Sequence, residues 1–321
     1  MATIIVSSPL PGPDLDRLKP GNNVIIGTNP GGLGSNGLID CLHNSPDTSA
    51  IVSLLSDRID SRVLDACQSV KIIASYAVGV DNIDLDLCSK RGIVVTNTPG
   101  VLTEATADLA MALMLDACRS VSRGDRFVRA GEWKGWVPNL FLGPRVTGAT
   151  LGLIGFGRIG QAVAKRAAGF GMHVLYHQRH RVDDQLERAT NSCFASLDDL
   201  LALSDIVSLH CPLTDETRGM LNEDRMRKMR RGTVLINTAR GACVDEGALT
   251  RLLETEHIAA AGLDVYEREP FLHPSLISLP NVVLAPHLGS ADIPTRRKMT
   301  EMCVDAVLDV LGGRCPTNRV V

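Results

Sequence analysis

The chain has 321 residues, of which 45% are hydrophobic and 21% are charged, and this size suggests two globular domains with ample core. A net charge of −3 argues against nucleic acid or an anionic membrane as a partner, and no apolar run approaches the length of a transmembrane helix. Nine scattered cysteines, an odd number without C-x-x-C spacing, favour reduced thiols in the cytoplasm over a disulfide framework or a zinc site.

The first hundred residues alternate short apolar runs with helical patterns. They begin with a strand rather than a signal peptide, because the N-terminus lacks a basic region. The predicted strands are Thr3–Ser7, Asn23–Gly27, Ala50–Leu54, Lys71–Ser75 and Ile93–Thr96, and the predicted helices are Leu38–His43, Arg62–Cys67 and Leu85–Lys90. This alternation predicts βαβ units around a parallel sheet. The segment Asn29–Gly37 lacks a G-K-[ST] ending, so it is interpreted as a mobile surface connection and not as a phosphate-binding loop.

A long helical pattern follows, from about Thr103 to Arg129. It is apolar on more than one face, which predicts burial within the fold or against another subunit. The next segment, Gly131 to Thr147, contains two tryptophans and several glycines and prolines, and is interpreted as an extended crossover.

The stretch 151–160, LGLIGFGRIG, organises the second half of the chain. An apolar strand from Thr150 to Ile154 leads into Gly155, Gly157 and Gly160, which have G-x-G-x-x-G spacing, and a helical pattern follows. Such a turn lets a pyrophosphate approach the backbone at the N-terminus of a helix. The sequence therefore predicts dinucleotide binding, and a purely structural turn is the alternative.

Further strands alternate with helical segments after the glycines and predict an α/β fold with a Rossmann-type, doubly wound parallel sheet. A final amphipathic helix over 292–311 is expected to return to the first domain and make that domain discontinuous. The predicted domains are 1–99 with 290–321, and 100–289. The predicted strands are His173–His177, Ile206–His210, Thr233–Asn237, Ala259–Val265 and Val282–Ala285.

Three residues that suit the reduction of a 2-keto acid follow predicted strands. Arg240, Glu269 and His287 are expected to converge, because the carboxyl ends of parallel strands line one crevice. His287 can be the general acid, Glu269 can hold its ring and favour its charged form, and Arg240 can grip a carboxylate and polarise the adjacent carbonyl. Each has a plain alternative: a surface ion pair for Arg240, a solvated loop acid for Glu269 and a structural histidine for His287.

The motifs LGLIGFGRIG, INTARG, GLDVYEREP and APHLGSA together resemble the D-isomer-specific 2-hydroxyacid dehydrogenase family, over most of the chain from about residue 50. The resemblance implies that Arg240 binds and polarises substrate and that His287 and Glu269 supply the proton. It also implies a discontinuous, flavodoxin-like substrate domain and a homodimer held largely through the nucleotide domains. One departure is Asp292, where the family pattern has Thr.

The resemblance also implies wider sets of site residues. Besides Arg240 and His287, those expected to bind substrate are Leu54, Val78, Gly79 and Trp136. An ordinary turn is the alternative for the loop at 77–84, and simple core packing is the alternative to Trp133 or Trp136 reaching a partner's active site. Those expected to bind the cofactor are Thr106, Gly155, Phe156, Gly157, Arg158, Ile159, Gly160, Gln178, Arg179, His180, Arg181, Cys211, Pro212, Thr217, Thr238, Ala239, Arg240, Asp264, His287, Gly289 and Ser290.

The end of the second nucleotide-domain strand predicts the choice of cofactor. NAD sites usually carry an acid there for the ribose 2′-hydroxyl, but this strand runs into Gln178, Arg179, His180 and Arg181. Guanidinium groups pair with a 2′-phosphate, so NADP(H) is predicted over NAD(H), with a basic surface turn as the alternative. No carboxylate or cysteine nearby completes a ligand set with His177 and His180, so no metal site is predicted.

The basic turn resembles the glyoxylate and hydroxypyruvate reductase branch of the family, so small 2-keto acids are the expected substrates. A formate- or phosphite-type dehydrogenase on the same fold is one alternative. A nucleotide-sensing, co-repressor-like binding protein is the other, and the presence of all three candidate catalytic residues argues against it.

Overall fold

The computed structural model describes residues 1–66 and 68–321, so the last residue of the predicted helix Arg62–Cys67 lies outside the described residues. The chain divides into two compact units. Unit 1 comprises Met1–Leu102 and Ser290–Val321, and unit 2 comprises Thr103–Gly289. Neither unit, where described, contains a helix long and apolar enough to cross a membrane.

Unit 1 is built on a five-stranded parallel sheet in the order β2-β1-β3-β4-β5, which is the flavodoxin-like arrangement. The apolar runs of β1 and β4 are buried throughout, as strands covered on both faces require. The strands are β1 (Thr3–Val6), β2 (Asn23–Ile26), β3 (Thr48–Ser53), β4 (Ile72–Ser75) and β5 (Val94–Thr96), and the helices are α1 (Gly34–Asn44), α2 (Ser61–Asp65) and α3 (Leu85–Lys90).

The prediction of a mobile connection over Asn29–Gly37 is wrong in its second half, because α1 begins at Gly34. The segment is tied to the strand ends: the Leu33 N–H donates to the Ser7 hydroxyl at 2.8 Å, and the Gly34 N–H donates to Asp57 at 2.8 Å. The repeated glycines made a helix start at this position difficult to predict. The N–H groups before the helix also depend on acceptors distant in sequence, Ser7 and Asp57.

The last helix, α12 (Ile293–Leu311), belongs to unit 1. Asp292 begins it by accepting the Thr295 N–H at 2.6 Å and the Thr295 hydroxyl at 2.9 Å. Asp292 therefore serves as a helix N-cap, a position that favours short polar side chains. The Tyr76 hydroxyl donates to the Arg296 carbonyl at 2.7 Å and fastens the helix to the segment after β4.

Unit 2 has a seven-stranded parallel sheet in the order β12-β11-β10-β9-β6-β7-β8, and its strand order reverses between β6 and β9. This confirms the doubly wound, Rossmann-type fold, whose ligand crevice lies at such a reversal. The short edge strand β8 was not predicted. The strands are β6 (Thr150–Ile154), β7 (His173–His177), β8 (Ser192–Phe194), β9 (Ile206–Leu209), β10 (Thr233–Asn237), β11 (Ile258–Leu263) and β12 (Val282–Leu284).

Two helices replace the single helix predicted over Thr103–Arg129. The first, α4, is buried on more than one face, whereas the second, α5, buries no residue. They meet at Ser120, whose φ of 54° is left-handed and interrupts the helical path. The helices of unit 2 are α4 (Thr103–Arg119), α5 (Val121–Arg129), α6 (Arg158–Ala168), α7 (Asp184–Thr190), α8 (Leu197–Leu203), α9 (Glu223–Arg227), α10 (Glu246–Glu254) and α11 (Pro274–Ser278).

Candidate active site

The glycine turn between β6 and α6 has the geometry of a phosphate cradle. Gly155 has a φ of +96°, and a Cβ there would lie 2.6 Å from the Cys211 nitrogen. A Cβ on Gly160 would overlap the Gly155 carbonyl oxygen, whereas the same position on Gly157 faces open space. The turn is thus closed on its protein side and open at Gly157. Arg158 and Ile159 begin α6, whose first N–H groups point out of the helix, so this turn fits a pyrophosphate.

The tip of β7, which comprises residues 178–181, contains no carboxylate residue. Gln178 accepts the Phe156 N–H at 3.2 Å and donates to the His180 carbonyl at 2.7 Å, so it ties the tip to the glycine turn. The Phe156 side chain is buried and stacks on Tyr176 with ring centroids 4.1 Å apart. Only the backbone of Phe156 is therefore available to a nucleotide.

The two arginines of the tip are held differently. The Arg181 guanidinium donates two hydrogen bonds to the Glu187 carboxylate, from Nε at 2.9 Å and from Nη2 at 2.7 Å. Hydrogen bonds from Arg181 and then Tyr176 lower the pKa of Glu187 to about 2, so this pair stays charged. Arg179 reaches Glu216 only at 3.8 Å, and its side chain is 75% exposed. The sequence could not distinguish the two, because the Glu187 partner lies on a separate helix, α7.

Other predicted cofactor residues follow the neighbouring strands. Cys211 and Pro212 come after β9, and the Thr217 hydroxyl donates to the Pro212 carbonyl at 2.7 Å. Thr238 and Ala239 come directly after β10. The Thr238 hydroxyl lies 3.5 Å from Nδ1 of His210, whose pKa burial lowers to about 4, so this imidazole is neutral at physiological pH.

Thr106 and Gly289 are joined by a hydrogen bond of 2.9 Å from the buried hydroxyl to the carbonyl oxygen. The family resemblance implies that the Thr106 hydroxyl faces the cofactor. In the structure this hydroxyl donates to a backbone carbonyl within unit 2. Ser290 belongs to unit 1, where its carbonyl accepts from the Arg296 Nε at 3.1 Å.

Arg240 stands at the end of β10 in a turn fastened by Asn237. The buried Asn237 amide accepts the Ala239 N–H and donates to the Arg240 carbonyl, both at 3.0 Å. The Arg240 Nη1 donates to the Ala239 carbonyl at 2.8 Å. Sequence reasoning missed Asn237, although an asparagine at a strand end is a common turn-forming residue.

His287 and Glu269 form a direct pair, with the imidazole Nδ1 2.8 Å from the Glu269 Oε2. The other oxygen of Glu269 accepts the Tyr266 N–H at 3.0 Å. Burial alone would raise the pKa of Glu269, but the hydrogen bond and charge of His287, the Tyr266 N–H and the charge of Arg240 together lower it. Glu269 is therefore ionised at neutral pH, and all three candidate catalytic residues act on one locality.

Asp264 fixes the backbone that carries His287. Its carbonyl accepts the His287 N–H at 3.0 Å, and its buried carboxylate accepts the N–H groups of Leu288 at 2.6 Å and Gly289 at 2.8 Å. His287 has a left-handed φ of 55°, a conformation that costs free energy and persists where surrounding contacts impose it. Asp264, which is among the residues expected to bind the cofactor, thus also fixes the backbone of the loop that carries His287.

The predicted substrate residues Leu54, Val78 and Gly79 lie in unit 1, at the carboxyl ends of β3 and β4. Asn82 joins the two segments by donating to the Leu54 carbonyl at 3.1 Å, and the Val78 carbonyl accepts from Asn97 at 2.8 Å. Val78 and Gly79 are partly exposed. Their role as an anion cradle stays a prediction.

Trp136 is not a core residue, because its exposed fraction is 83%, and Trp133 is 55% exposed. Simple core packing within this chain is therefore wrong for both. Leu142 is 76% exposed, so residues 121–142, which we call the arm, carry several uncovered apolar side chains. Within residues 1–66 and 68–321 no group of three or more His, Cys, Asp or Glu residues could hold a metal ion.

Comparison with known proteins gives a consistent result. Residues 111–289 match the family model for the NAD-binding domain of D-isomer specific 2-hydroxyacid dehydrogenases. Glyoxylate reductases from Thermococcus kodakarensis and Pyrococcus horikoshii are each 50% identical over 278 residues, which cover 85% of this chain and 83% of each relative.

Solved structures agree with the family model. The NADPH-dependent glyoxylate/hydroxypyruvate reductase of Sinorhizobium meliloti, crystallised with NADP and malonate, superposes with a TM-score of 0.88 at 32% identity and covers 100% of this chain and 97% of that one. The resemblance found in the sequence motifs is confirmed. The chain belongs to the D-isomer specific 2-hydroxyacid dehydrogenase family and is an NAD(P)-dependent oxidoreductase.

Proposed function

We propose that the enzyme reduces small 2-keto acids, glyoxylate and hydroxypyruvate, to D-2-hydroxy acids and prefers NADPH over NADH. The observation that carries this proposal is the His287–Glu269 pair at 2.8 Å beside Arg240, at the carboxyl edge of the sheet that also bears the glycine turn. The names of the relatives that are 50% identical support the choice of substrate.

Each of the three residues has a distinct task in the reaction. A bound nicotinamide would supply the hydride for the carbonyl carbon, and the carbonyl oxygen would need a proton. Because Nδ1 of His287 faces Glu269, the free Nε2 is the atom that donates this proton. Glu269 holds the ring and stabilises its charged form, while the Arg240 guanidinium binds the substrate carboxylate and draws electron density from the neighbouring carbonyl.

The cofactor preference rests on the tip of β7. Gln178 stands where an acid would repel a 2′-phosphate, and the loosely held Arg179 offers a guanidinium to it. Arg181 is already engaged by Glu187, so we assign the larger share of the preference to Arg179. A related enzyme crystallised with NADP points the same way.

The direct test mixes the purified protein with NADPH or NADH and a panel of 2-keto acids while nicotinamide absorbance is followed. We expect the highest kcat/KM for NADPH with glyoxylate or hydroxypyruvate. A higher kcat/KM for NADH would refute the cofactor preference. Oxidation of formate or phosphite, without reduction of any keto acid, would refute the substrate class.

We also propose a homodimer in which the arm is covered by the second copy and Trp136 reaches the partner's active site. Helix α5 buries no residue of its own, and several exposed large apolar side chains fall within the arm; when such side chains cluster, they mark a protein–protein interface. Sedimentation equilibrium should give twice the mass of the chain, and a monomer would contradict the proposal. The cytoplasmic location stays a prediction from cysteine usage.

A further inference from the structure

Glu246, the first residue of α10, is a buried carboxylate that the proposed mechanism does not use. Its exposed fraction is 7%. One carboxylate oxygen accepts the backbone N–H of Glu267, and the other accepts the backbone N–H of His273 at 3.3 Å. A carboxylate that accepts backbone N–H groups with both oxygens makes charge-assisted hydrogen bonds.

Those two N–H groups lie on either side of Glu269 in the chain, so Glu246 grips both ends of the loop 267–273. In the centre of this loop, Glu269 faces His287 at 2.8 Å. The other side of the loop is fixed at Gly241, where a Cβ would overlap the Tyr266 carbonyl group. The turn that carries Arg240 is therefore in backbone contact with the segment that carries Glu269.

We propose that Glu246 is a positioning residue for this reaction: by holding both ends of the loop 267–273, it sets the distance and orientation between Glu269 and the His287 imidazole. The inference rests on the proposed function, because it requires that the His287–Glu269 pair supplies the proton. Glu246 itself contacts neither the imidazole nor the Arg240 guanidinium in the hydrogen bonds that it makes.

The expected consequence is a change in proton supply rather than in cofactor binding. Among the described residues, the charged and titratable groups around the His287–Glu269 pair include Arg240 after β10 and Asp264 and Tyr266 after β11. Glu269 is the carboxylate in direct contact with the ring. When the loop loses its anchor, this carboxylate moves away and the charged imidazole is less stabilised.

The test compares Glu246→Gln with Asp245→Ala. In Glu246→Gln, an amide NH2 group faces one of the two backbone N–H donors, so one anchor is lost. A misplacement of this kind costs about 10–10²-fold in kcat. The KM for NADPH should not change, and the alkaline limb of the kcat/KM profile for reduction should move to lower pH.

Asp245 is the matched control, because it caps the same helix by accepting the Ala248 N–H at 2.8 Å without touching the loop. Asp245→Ala should lower the thermal midpoint while leaving kcat and the pH profile unchanged. A second comparison introduces Glu246→Gln into Glu269→Gln. Little further loss is expected there, because both changes act through the same carboxylate.

The outcomes separate this inference from the proposed function. Wild-type turnover in Glu269→Gln would overturn the proposed mechanism and this inference with it. A defect in Glu269→Gln beside an unchanged Glu246→Gln would overturn the inference alone, and so would a loss in Glu246→Gln that leaves the pH profile unmoved. Hydrogen exchange of the wild-type enzyme tests it without any variant, since fast exchange at the Glu267 and His273 amides would also overturn it.

Discussion

The two ends of the carboxyl edge in unit 2 hold their charged groups in different ways. At β10 to β12, the backbones around Arg240, Glu269 and His287 are fixed by the buried polar groups of Asn237, Glu246 and Asp264. At the tip of β7, the two arginine side chains are themselves exposed, and their carboxylate partners are Glu216 and Glu187. Proton transfer needs a fixed geometry, whereas selection of a 2′-phosphate needs mainly charge.

Replacing the fixed residues should have the largest effect. His287→Ala is expected to lower kcat by about 10²–10⁴-fold, because general acid catalysis is lost. Arg240→Ala should lower kcat/KM by orders of magnitude, since substrate binding and carbonyl polarisation are lost together. Steady-state assays with glyoxylate and NADPH measure both.

Arg230→Ala is the matched control for these two variants. Arg230 pairs with Asp205 at 2.7 Å, next to the amino ends of the strands. It should retain wild-type turnover. Equal losses of turnover in Arg230→Ala and Arg240→Ala would show that the effect does not depend on the position of Arg240 at the carboxyl edge of the sheet.

Removing only the negative charge of the pair should have a smaller effect. Glu269→Gln keeps the shape of the side chain but no longer favours the charged imidazole, so kcat should fall by about 10-fold or more. Because reduction needs the protonated ring, the alkaline limb of the kcat/KM profile should move to lower pH. A profile that stays in place would contradict the role of Glu269.

Substitutions at the exposed tip of β7 should change only the selectivity between NADPH and NADH. Arg179→Ala removes a charge-assisted contact and should raise the KM for NADPH by about 10-fold, with little change for NADH. Arg181→Ala should have a weaker effect on NADPH, because that guanidinium is engaged by Glu187. The reverse order of the two variants would mean that the Arg181–Glu187 pair opens when the cofactor binds.

The smallest expected effect lies in the arm. Trp136→Ala should change the preference between glyoxylate and hydroxypyruvate several-fold without changing the mass measured by sedimentation. Leu203→Ala removes another exposed apolar side chain, outside the arm, and should change neither. Kinetics unchanged by Trp136→Ala would exclude a contact between this side chain and a neighbouring active site.

The sequence predicted the features that repeat along the chain. Apolar runs marked most strands. The rule that parallel strands end at one edge of a sheet predicted that Arg240, Glu269 and His287 lie close together. Features set by single contacts were not predictable. The left-handed Ser120 divides an otherwise continuous helical pattern, and the three-residue strand β8 is too short to produce one.

The supporting polar groups escaped prediction for a related reason. Glu246 lies 21 residues before the Glu267 N–H that it accepts, and Asp264 lies 24 residues before Leu288. Neither spacing corresponds to the period of a helix or a strand. Such contacts depend on the three-dimensional path of the loops, which local patterns do not encode.

The break at Ser120 separates a buried helix from one that the proposed dimer would cover. Helix α4 contributes to the core of one chain, whereas α5 and the rest of the arm leave apolar side chains for which that chain has no cover. In the proposed dimer, folding and association are therefore coupled by mass action, and dilution weakens both. For the proposed dimer, the number of copies that the cell makes would therefore set part of the stability of the folded enzyme.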